Sequence, residues 1–228
     1  MNKLSKILPA AAVFACASLV TASAQDGDLP IDGNIGVTSN YVFRGVSQTG
    51  NDAAVQGGLD FADESGIYIG TWVSNINFAG GTELDVYGGF AGEIGDGIGY
   101  DVGVIGYIYP AADEDANFAE VYLGLSWDFL SAGVAYTFIS EIDDGYFTDG
   151  DAFFYVAGGF DLDDSWSVGL TVGYYLFDFS SDGDYVYGQL DLGKSTDFGD
   201  FTFSVSLADE SDVAADDPLF FVSWGIGF

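Results

Sequence analysis

The side chains of this chain that could do chemistry are almost all carboxylates. The sequence contains 36 aspartate and glutamate residues, four lysine and arginine residues, and no histidine. Histidine is the commonest general base of enzymes, and its absence excludes a Ser-His-Asp hydrolase in its usual form. The carboxylates are spread along the whole chain, so that no two of them stand out as an acid–base pair. The composition therefore favours a protein that is not an enzyme and that uses no cofactor.

Arg44 is the residue whose type suggests a specific role, because so few cations accompany so many acids. The alternation of its segment directs its side chain to the polar face of a predicted strand, opposite Tyr41 and Phe43. The acidic residues predicted on the same interior face are Asp60, Glu83, Asp85, Asp101 and Glu120. We interpret Arg44 as a structural ion-pair partner of one of these acids, since buried pairs fix geometry. The alternative is a charge that orients solutes at a constriction.

The elements that must position these residues are β-strands, because apolar residues recur with a period of two. Residues 118–128 show this most clearly, with Val121 and Leu123 alternating with polar or small residues. We predict about twelve such strands, each near the length that a tilted membrane strand needs. They lie near 33–44, 53–62, 66–76, 83–93, 98–109, 118–128, 130–140, 152–162, 166–177, 185–193, 201–208 and 218–228.

The connections between the predicted strands alternate in length. Short turns fall at 63–65, 95–97, around Phe129, at 163–165 and at 194–200, and longer links cover 45–52, 77–82, 110–117, 141–151, 178–184 and 209–217. Short turns at one end and long loops at the other are typical of bacterial outer-membrane barrels. We therefore predict an all-β fold, a single antiparallel transmembrane β-barrel of about twelve strands in up-and-down order, over residues 25–228. The alternative is a soluble β-sandwich, which uses the same strand-forming residues.

The first 24 residues have the form of a secretory signal peptide. Two lysines are followed by the apolar run 7–20, and a small-x-small motif predicts cleavage after Ala24. The apolar run is too short to cross a bilayer as a helix, which argues against a retained membrane anchor. A lipid-modified Cys16 is a further alternative, although the bulky Phe14 fits a lipoprotein signal poorly. We predict export through the periplasm to the outer membrane of a Gram-negative cell.

The charge of the chain limits its partners. Beyond residue 24, Arg44 and Lys194 stand against 36 acidic residues, so that no basic patch could bind the phosphates of nucleic acid. Acidic bursts in the loops could hold divalent cations at a surface rich in lipopolysaccharide, but solubility explains them equally well, and no stretch matches an EF-hand. We make no metal-site assignment. Acids on the interior face would focus a negative potential, so an open channel would favour cations.

The segment Thr38-Ser39-Asn40-Tyr41-Val42-Phe43-Arg44-Gly45-Val46-Ser47-Gln48-Thr49 resembles the opening motif of the TorF-type porin family of proteobacteria. Gln56-Gly57-Gly58, Gly70-Thr71-Trp72 and Glu83-Leu84-Asp85 continue this resemblance. It extends over the chain after residue 24 and is most specific in the first third. The resemblance implies an exported outer-membrane barrel that acts as a porin. It carries neither catalytic residues nor a named substrate to this chain.

Two functions are consistent with these patterns. The first is passive diffusion of small solutes or ions, cations above all, through a narrow lumen. Interior glycines leave room in it, and Tyr87, Tyr122, Tyr185 and Tyr187 are candidates to fill it. The second is a filled barrel with a structural or surface-binding role that its acidic loops perform.

The end of the chain predicts how the barrel is assembled. Its last strand alternates apolar residues and stops on Phe228, and it must pair with the first strand to complete a ring. A terminal aromatic strand of this form resembles the assembly signal of outer-membrane barrels. The predicted partners are therefore outer-membrane lipid and lipopolysaccharide, the barrel-assembly machinery, and small solutes or cations.

Overall fold

The computed structural model of the protein describes residues 31–95, 97–113 and 115–228. The predicted signal peptide, residues 1–24, lies outside these described residues. Within them, no helix combines the length and the apolar character needed to cross a membrane.

Twelve antiparallel strands form one closed barrel, which confirms the predicted fold class and excludes the β-sandwich. The barrel strands are β1 (Ile31–Thr38), β4 (Ala54–Ala62), β5 (Ile67–Asn75), β6 (Thr82–Ile94), β7 (Ile98–Ile108), β8 (Phe118–Trp127), β9 (Leu130–Ser140), β10 (Ala152–Asp161), β11 (Trp166–Leu176), β12 (Tyr185–Thr196), β13 (Gly199–Ala208) and β14 (Leu219–Gly227). Two short strands, β2 (Val42–Phe43) and β3 (Val46–Ser47), form a separate hairpin. From β4 onward, each barrel strand pairs with the next one in the chain, as expected for an up-and-down order.

The ring is closed by pairing of the first and last strands. β1 and β14 run antiparallel, in a register that extends from Asn34 opposite Gly227 to Thr38 opposite Ser223. The pairing continues one residue further, because Gly33 and Phe228 exchange two backbone hydrogen bonds of 2.9 Å. The predicted partner of the final strand is therefore confirmed.

The two faces of the sheet differ in polarity as the alternation predicts. Every barrel strand exposes large apolar side chains on the outside; Val121, Leu123 and Leu125 on β8 are 40–46% exposed. Their neighbours Glu120 and Tyr122 are 1% and 3% exposed and face the interior. A continuous apolar surface of this extent is typical of a barrel in lipid and not of a soluble monomer.

The connections fall into two classes, as predicted. Turns of two to four residues join the strands at one end, which we call the short-turn end: 63–66, 95–97, 128–129, 162–165 and 197–198. Connections of six to fifteen residues lie at the other end, the long-loop end: 39–53, 76–81, 109–117, 141–151, 177–184 and 209–218. The described chain begins and ends at the short-turn end.

The first predicted strand extends too far along the chain, and the residues wrongly included in it contain Arg44. We expected a strand over 33–44, but β1 ends at Thr38. There the Thr38 hydroxyl donates to the carbonyl oxygen of Asn40 at 2.9 Å, and this local bond takes the place of the sheet ladder. The chain then turns inward, and Arg44 lies on the hairpin of β2 and β3 instead of on the barrel wall.

Tyrosine rings on the inner face lie over glycines on neighbouring strands. Five such pairs are also directly opposite each other in the register: Tyr68 with Gly89, Tyr87 with Gly70, Tyr122 with Gly103, Tyr155 with Gly133, and Tyr187 with Gly173. In each pair, a Cβ on the glycine would collide with the tyrosine side chain. The glycines therefore let bulky rings lie along the wall, which reduces the space that the rings take from the lumen.

We expect Gly70→Ala to destabilise the barrel by about 1–3 kcal/mol, the usual cost of overpacking. Its new methyl group would collide with the Tyr87 ring and with Asp60. Gly169→Ala is the matched control, because the nearest atom to its Cβ would be the Asp191 Cβ at 3.8 Å. Urea unfolding in lipid vesicles measures both free energies, and an equal effect of the two substitutions would contradict this packing role.

We expect deletion of Phe228 to reduce insertion of the barrel, because it removes the two backbone bonds to Gly33 at the seam. Phe198→Ala is a suitable control, since Phe198 and Phe228 are both 67% exposed but Phe198 lies in a short turn. Heat-modifiable gel mobility of outer-membrane fractions reports the folded yield. Normal assembly of the deletion variant would show that the terminal residue is dispensable.

Candidate functional site: the barrel lumen

The first long connection folds into the barrel as a hairpin. β2 and β3 pair with Phe43 opposite Val46, which leaves Arg44 and Gly45 as a two-residue tip. Both tip residues have positive φ angles, 48° at Arg44 and 88° at Gly45, as in a type I′ turn. Glycine adopts this conformation readily, but arginine rarely does. The backbone of the tip is therefore strained at Arg44.

The base of the hairpin is fixed by backbone and side-chain bonds. The Gln48 amide donates to the Tyr41 carbonyl oxygen at 2.7 Å, and the Asn77 amide donates to the Gln48 carbonyl oxygen at 3.0 Å. The hydroxyl of Thr49 accepts from the Tyr41 amide at 3.2 Å. These bonds connect the hairpin to itself and to the connection between β5 and β6.

The wall of the barrel binds the hairpin at several points. The Tyr41 hydroxyl donates to Glu83 Oε1 at 2.7 Å, and the Tyr185 hydroxyl donates to the Arg44 carbonyl oxygen at 2.9 Å. A Cβ on Gly45 would lie 2.7 Å from the Cβ of Tyr187, so only glycine fits against the wall there. Tyr41 and Arg44 are 2% and 6% exposed, which shows that the hairpin occupies the lumen at this level.

Arg44 forms a bidentate ion pair with Glu120. Its two terminal nitrogens donate to the two carboxylate oxygens at 2.8 and 2.7 Å, and both side chains are buried. The hydroxyl groups of Tyr107 and Tyr175 also donate to Glu120, at 3.1 and 3.4 Å. Glu120 thus accepts four hydrogen bonds, close to the capacity of a carboxylate.

Aromatic rings surround the guanidinium group of Arg44. Its central carbon lies 4.2 Å from the ring centroid of Phe153, 4.6 Å from that of Phe43 and 5.2 Å from that of Tyr175. Such distances allow cation–π attraction, which strengthens when the groups are removed from water. The guanidinium group is therefore held by the Glu120 carboxylate on one side and by the faces of aromatic rings on other sides.

The other predicted interior acids lie at two levels. Glu83 and Asp85 are near the long-loop end of β6, at the level of the hairpin, while Asp60 and Asp101 lie near the short-turn ends of β4 and β7. Glu83 accepts a second hydrogen bond from the Tyr109 hydroxyl at 2.9 Å. One oxygen of Asp85, Oδ1, is buried and has no hydrogen-bond partner among the described residues.

Tyrosines also bind Asp60 and Asp101, the acids near the short-turn end. The Tyr87 hydroxyl donates to Asp60 Oδ1 at 2.5 Å, and the Tyr68 hydroxyl donates to Asp101 Oδ1 at 2.5 Å. The hydroxyls of Tyr68 and Tyr122 are hydrogen bonded to each other. These donors are neutral, so the hydrogen bonds satisfy the carboxylates without supplying a compensating positive charge.

Several acids of the long loops hold the loop backbone in place. Asp151, for example, accepts hydrogen bonds from the amides of Thr148 and Asp178 at 2.9 and 2.8 Å. Burial raises the pKa of the Asp151 carboxyl, and these amides oppose that rise. No group of three or more potential metal ligands occurs among the described residues. Divalent binding by the loops stays a prediction.

The sequence did not identify the hairpin or the aromatic residues around Arg44. The available signal was the Arg44-Gly45 pair between two short runs, Val42-Phe43 and Val46-Ser47, which has the spacing of a two-residue hairpin. It was hidden because Tyr41 and Phe43 continue the alternation of β1. Phe153 and Tyr175 lie more than a hundred residues further along the chain, and only the closed barrel brings them to Arg44.

Solved structures of porins share this fold. The KdgM porin superposes with a TM-score of 0.56 over 87% of this chain and 97% of its own, at 10% sequence identity, and KdgM in complex with disordered oligogalacturonate gives the same values. The NanC porin gives a TM-score of 0.54 over 86% of this chain and 97% of its own, at 14% identity. Identities this low establish similarity of fold.

Sequence comparison assigns the family. No curated protein matches the chain at a significant level. The Gcw_chp family, described as bacterial proteins of unknown function, matches residues 22–223, which is almost the whole chain. The chain therefore belongs to the Gcw_chp family.

Proposed function

We propose that this protein is an outer-membrane porin with an acidic lumen, through which small cations pass by diffusion. A closed twelve-strand barrel with an apolar outer face supports this proposal, as does the fold shared with the KdgM and NanC porins. The predicted signal peptide and the resemblance of 38–49 to the TorF-type porin family agree with it as predictions from sequence. The proposed location is the outer membrane, with lipid and lipopolysaccharide around the barrel and the barrel-assembly machinery as its insertion partner.

The set of carboxylates on the inner face is the observation that carries the proposal. Glu83, Asp85, Asp101 and Glu120 are 1–3% exposed on the inner face, and Arg44 neutralises one of them. Lys194, the other basic side chain of the barrel, lies near the short-turn end and donates to Ser165 at 2.6 Å. Carboxylates enclosed by a low-dielectric wall focus a negative potential. Such a lumen attracts cations and repels anions.

The solute named with KdgM does not suit this lumen. Oligogalacturonate is an oligomer of sugar acids, and it is bound by KdgM in one of the similar structures. Interior acids such as Asp85 and Asp101 would repel a polyanion of this kind. The likeness to KdgM therefore supports the pore and its architecture, while the charge of the lumen directs the proposal to solutes of opposite sign.

The hairpin adds a condition to this function. Because its buried tip contacts the wall at both β8 and β12, we expect steady conduction to require the tip at Arg44 to move away from Glu120. We therefore expect discrete openings and closures instead of a permanently open pore. The same hairpin favours a second candidate function, a filled barrel with a structural or surface-binding role that its acidic loops perform.

Single-channel recording in planar bilayers tests the proposal. We expect discrete current steps, and in a potassium chloride gradient we expect a reversal potential of the sign that cation selectivity gives, because the lumen is acidic. An anion-selective reversal potential would contradict the assigned lumen chemistry. Absence of steps from barrels with normal heat-modifiable mobility would favour the filled barrel.

Asp85→Asn should move the reversal potential toward zero, because it removes a negative charge next to the hairpin. Asp216→Asn is the matched control, since it removes the same charge from an exposed position in the 209–218 loop. Both variants are compared with the unaltered protein in the same salt gradient. If Asp216→Asn shifts the potential as much as Asp85→Asn does, selectivity arises in the loops and not in the lumen.

A further inference from the structure

The barrel wall holds the Arg44 side chain in the way that a protein holds a ligand. The Glu120 carboxylate forms two parallel bonds with the guanidinium group, and the rings of Phe153 and Tyr175 lie against it. A carboxylate flanked by aromatic faces is an arrangement that recognises guanidinium groups. We call the wall residues Glu120, Tyr107, Phe153 and Tyr175 the guanidinium cage.

The residues of the guanidinium cage all belong to the barrel wall and none to the hairpin. Its members lie on four strands of the closed sheet: Tyr107 on β7, Glu120 on β8, Phe153 on β10 and Tyr175 on β11. Tyr107 and Tyr175 orient the Glu120 carboxylate through their hydroxyl groups. Because these bonds and the sheet ladder do not involve Arg44, we expect the cage to keep its shape for another guanidinium group when Arg44 is absent.

The hairpin presents Arg44 in a conformation that arginine disfavours. A φ angle of 48° is in the left-handed region, which persists for such a residue only where its surroundings compensate for the strain. The contacts in the cage provide that compensation. Release of the tip would relieve the strain, which makes exchange of Arg44 for a free ligand more favourable.

We propose that the guanidinium cage is a binding site for small organic cations that carry a guanidinium group, and that Arg44 is its internal occupant. This inference rests on the proposed pore function and names a solute class for it. A guanidinium solute that enters the cage displaces Arg44, separates the hairpin tip from the wall and widens the lumen. The solute that binds is thus also the solute that opens the path.

The cage separates guanidinium groups from other solutes by shape as well as by charge. An alkali cation would be attracted to Glu120 but would lack the planar fork that makes two parallel bonds. An anionic solute would be repelled by Glu120 and by the neighbouring Glu83 and Asp85. We therefore expect guanidinium solutes to bind more tightly than sodium at equal concentration.

Chemical rescue of Arg44→Ala tests the site directly. This change empties the cage, and added methylguanidinium chloride replaces the missing group. We expect a saturable rise in the thermal unfolding midpoint of the purified variant, and no such rise with sodium chloride at matched ionic strength. The unaltered protein should respond at least about tenfold more weakly, because Arg44 already occupies the cage.

A double variant shows whether the cage is responsible. Arg44→Ala with Glu120→Gln should bind methylguanidinium at least about tenfold more weakly than Arg44→Ala alone, since charged hydrogen bonds are lost. If Arg44→Ala fails to fold, Arg44→Gln serves instead, because a neutral amide can still donate to Glu120. Equal responses to methylguanidinium with and without Glu120→Gln, or equal responses to methylguanidinium and sodium, would overturn the inference.

Channel recording then separates this inference from the proposed function. For the unaltered protein we expect methylguanidinium to raise the open probability in a saturable way, relative to sodium at the same ionic strength. A barrel that conducts but shows no rescue in Arg44→Ala would refute the cage and leave the pore. A barrel that shows rescue but never conducts would retain the site and refute the pore.

Discussion

Closure of the backbone hydrogen-bond ring is the constraint on which the rest of the structure depends. In a bilayer each unpaired strand edge would leave polar groups in hydrocarbon, so both outer strands must find a partner. β1 and β14 provide it, and the exchange of bonds between Gly33 and Phe228 continues the seam to the last residue. Once the ring is closed, the period of two fixes which side chains face lipid and which face the lumen. Acids that could have been solvated surface groups then become interior groups.

Burial of so many carboxylates creates a second constraint, which the tyrosines satisfy. A buried carboxylate is costly unless hydrogen-bond donors surround it. Tyrosine hydroxyls donate to Asp60, Glu83, Asp101 and Glu120. Two of the same rings, those of Tyr68 and Tyr87, lie over opposite glycines, so that they line the wall as they donate. These donors are neutral, so the acids are hydrogen bonded without a compensating positive charge from the tyrosines.

The fold was predictable from the sequence because it follows from local patterns. Alternation in segments such as 118–128 gave the strands and their inner and outer faces, and loop lengths gave the barrel. In β5, where aliphatic and aromatic residues alternate with each other, Ile69 lies outside while Tyr68 and Trp72 lie inside. Pairing with the neighbouring strands determines which of these residues face lipid. This pairing cannot be read from the sequence of one strand alone.

The lumen was less predictable because it depends on distant contacts. Alternation predicted that the Arg44 side chain faces the interior, and in the structure it does. However, Arg44 lies on the hairpin of β2 and β3, whose residues continue the alternation of β1 by coincidence. The sequence predicted that Arg44 pairs with one of several interior acids. The position of the hairpin tip determines that this acid is Glu120. The contribution of Phe153 and Tyr175 could not be inferred, since these residues have the same alternation as any interior aromatic.

The position of the barrel's lone arginine on a connection, and not on a strand, has a physical consequence. An arginine on the wall would neutralise Glu120 permanently, because the sheet ladder on both sides would hold its backbone. On the hairpin, the base is fixed by backbone bonds at Tyr41 and Gln48, whereas the tip is bound through the Arg44 side chain and the Tyr185 hydroxyl. Separation of Arg44 from Glu120 would therefore raise the negative charge of the lumen and its free cross-section together. In the proposed pore, selectivity and opening would therefore be coupled through the ion pair of Arg44 and Glu120.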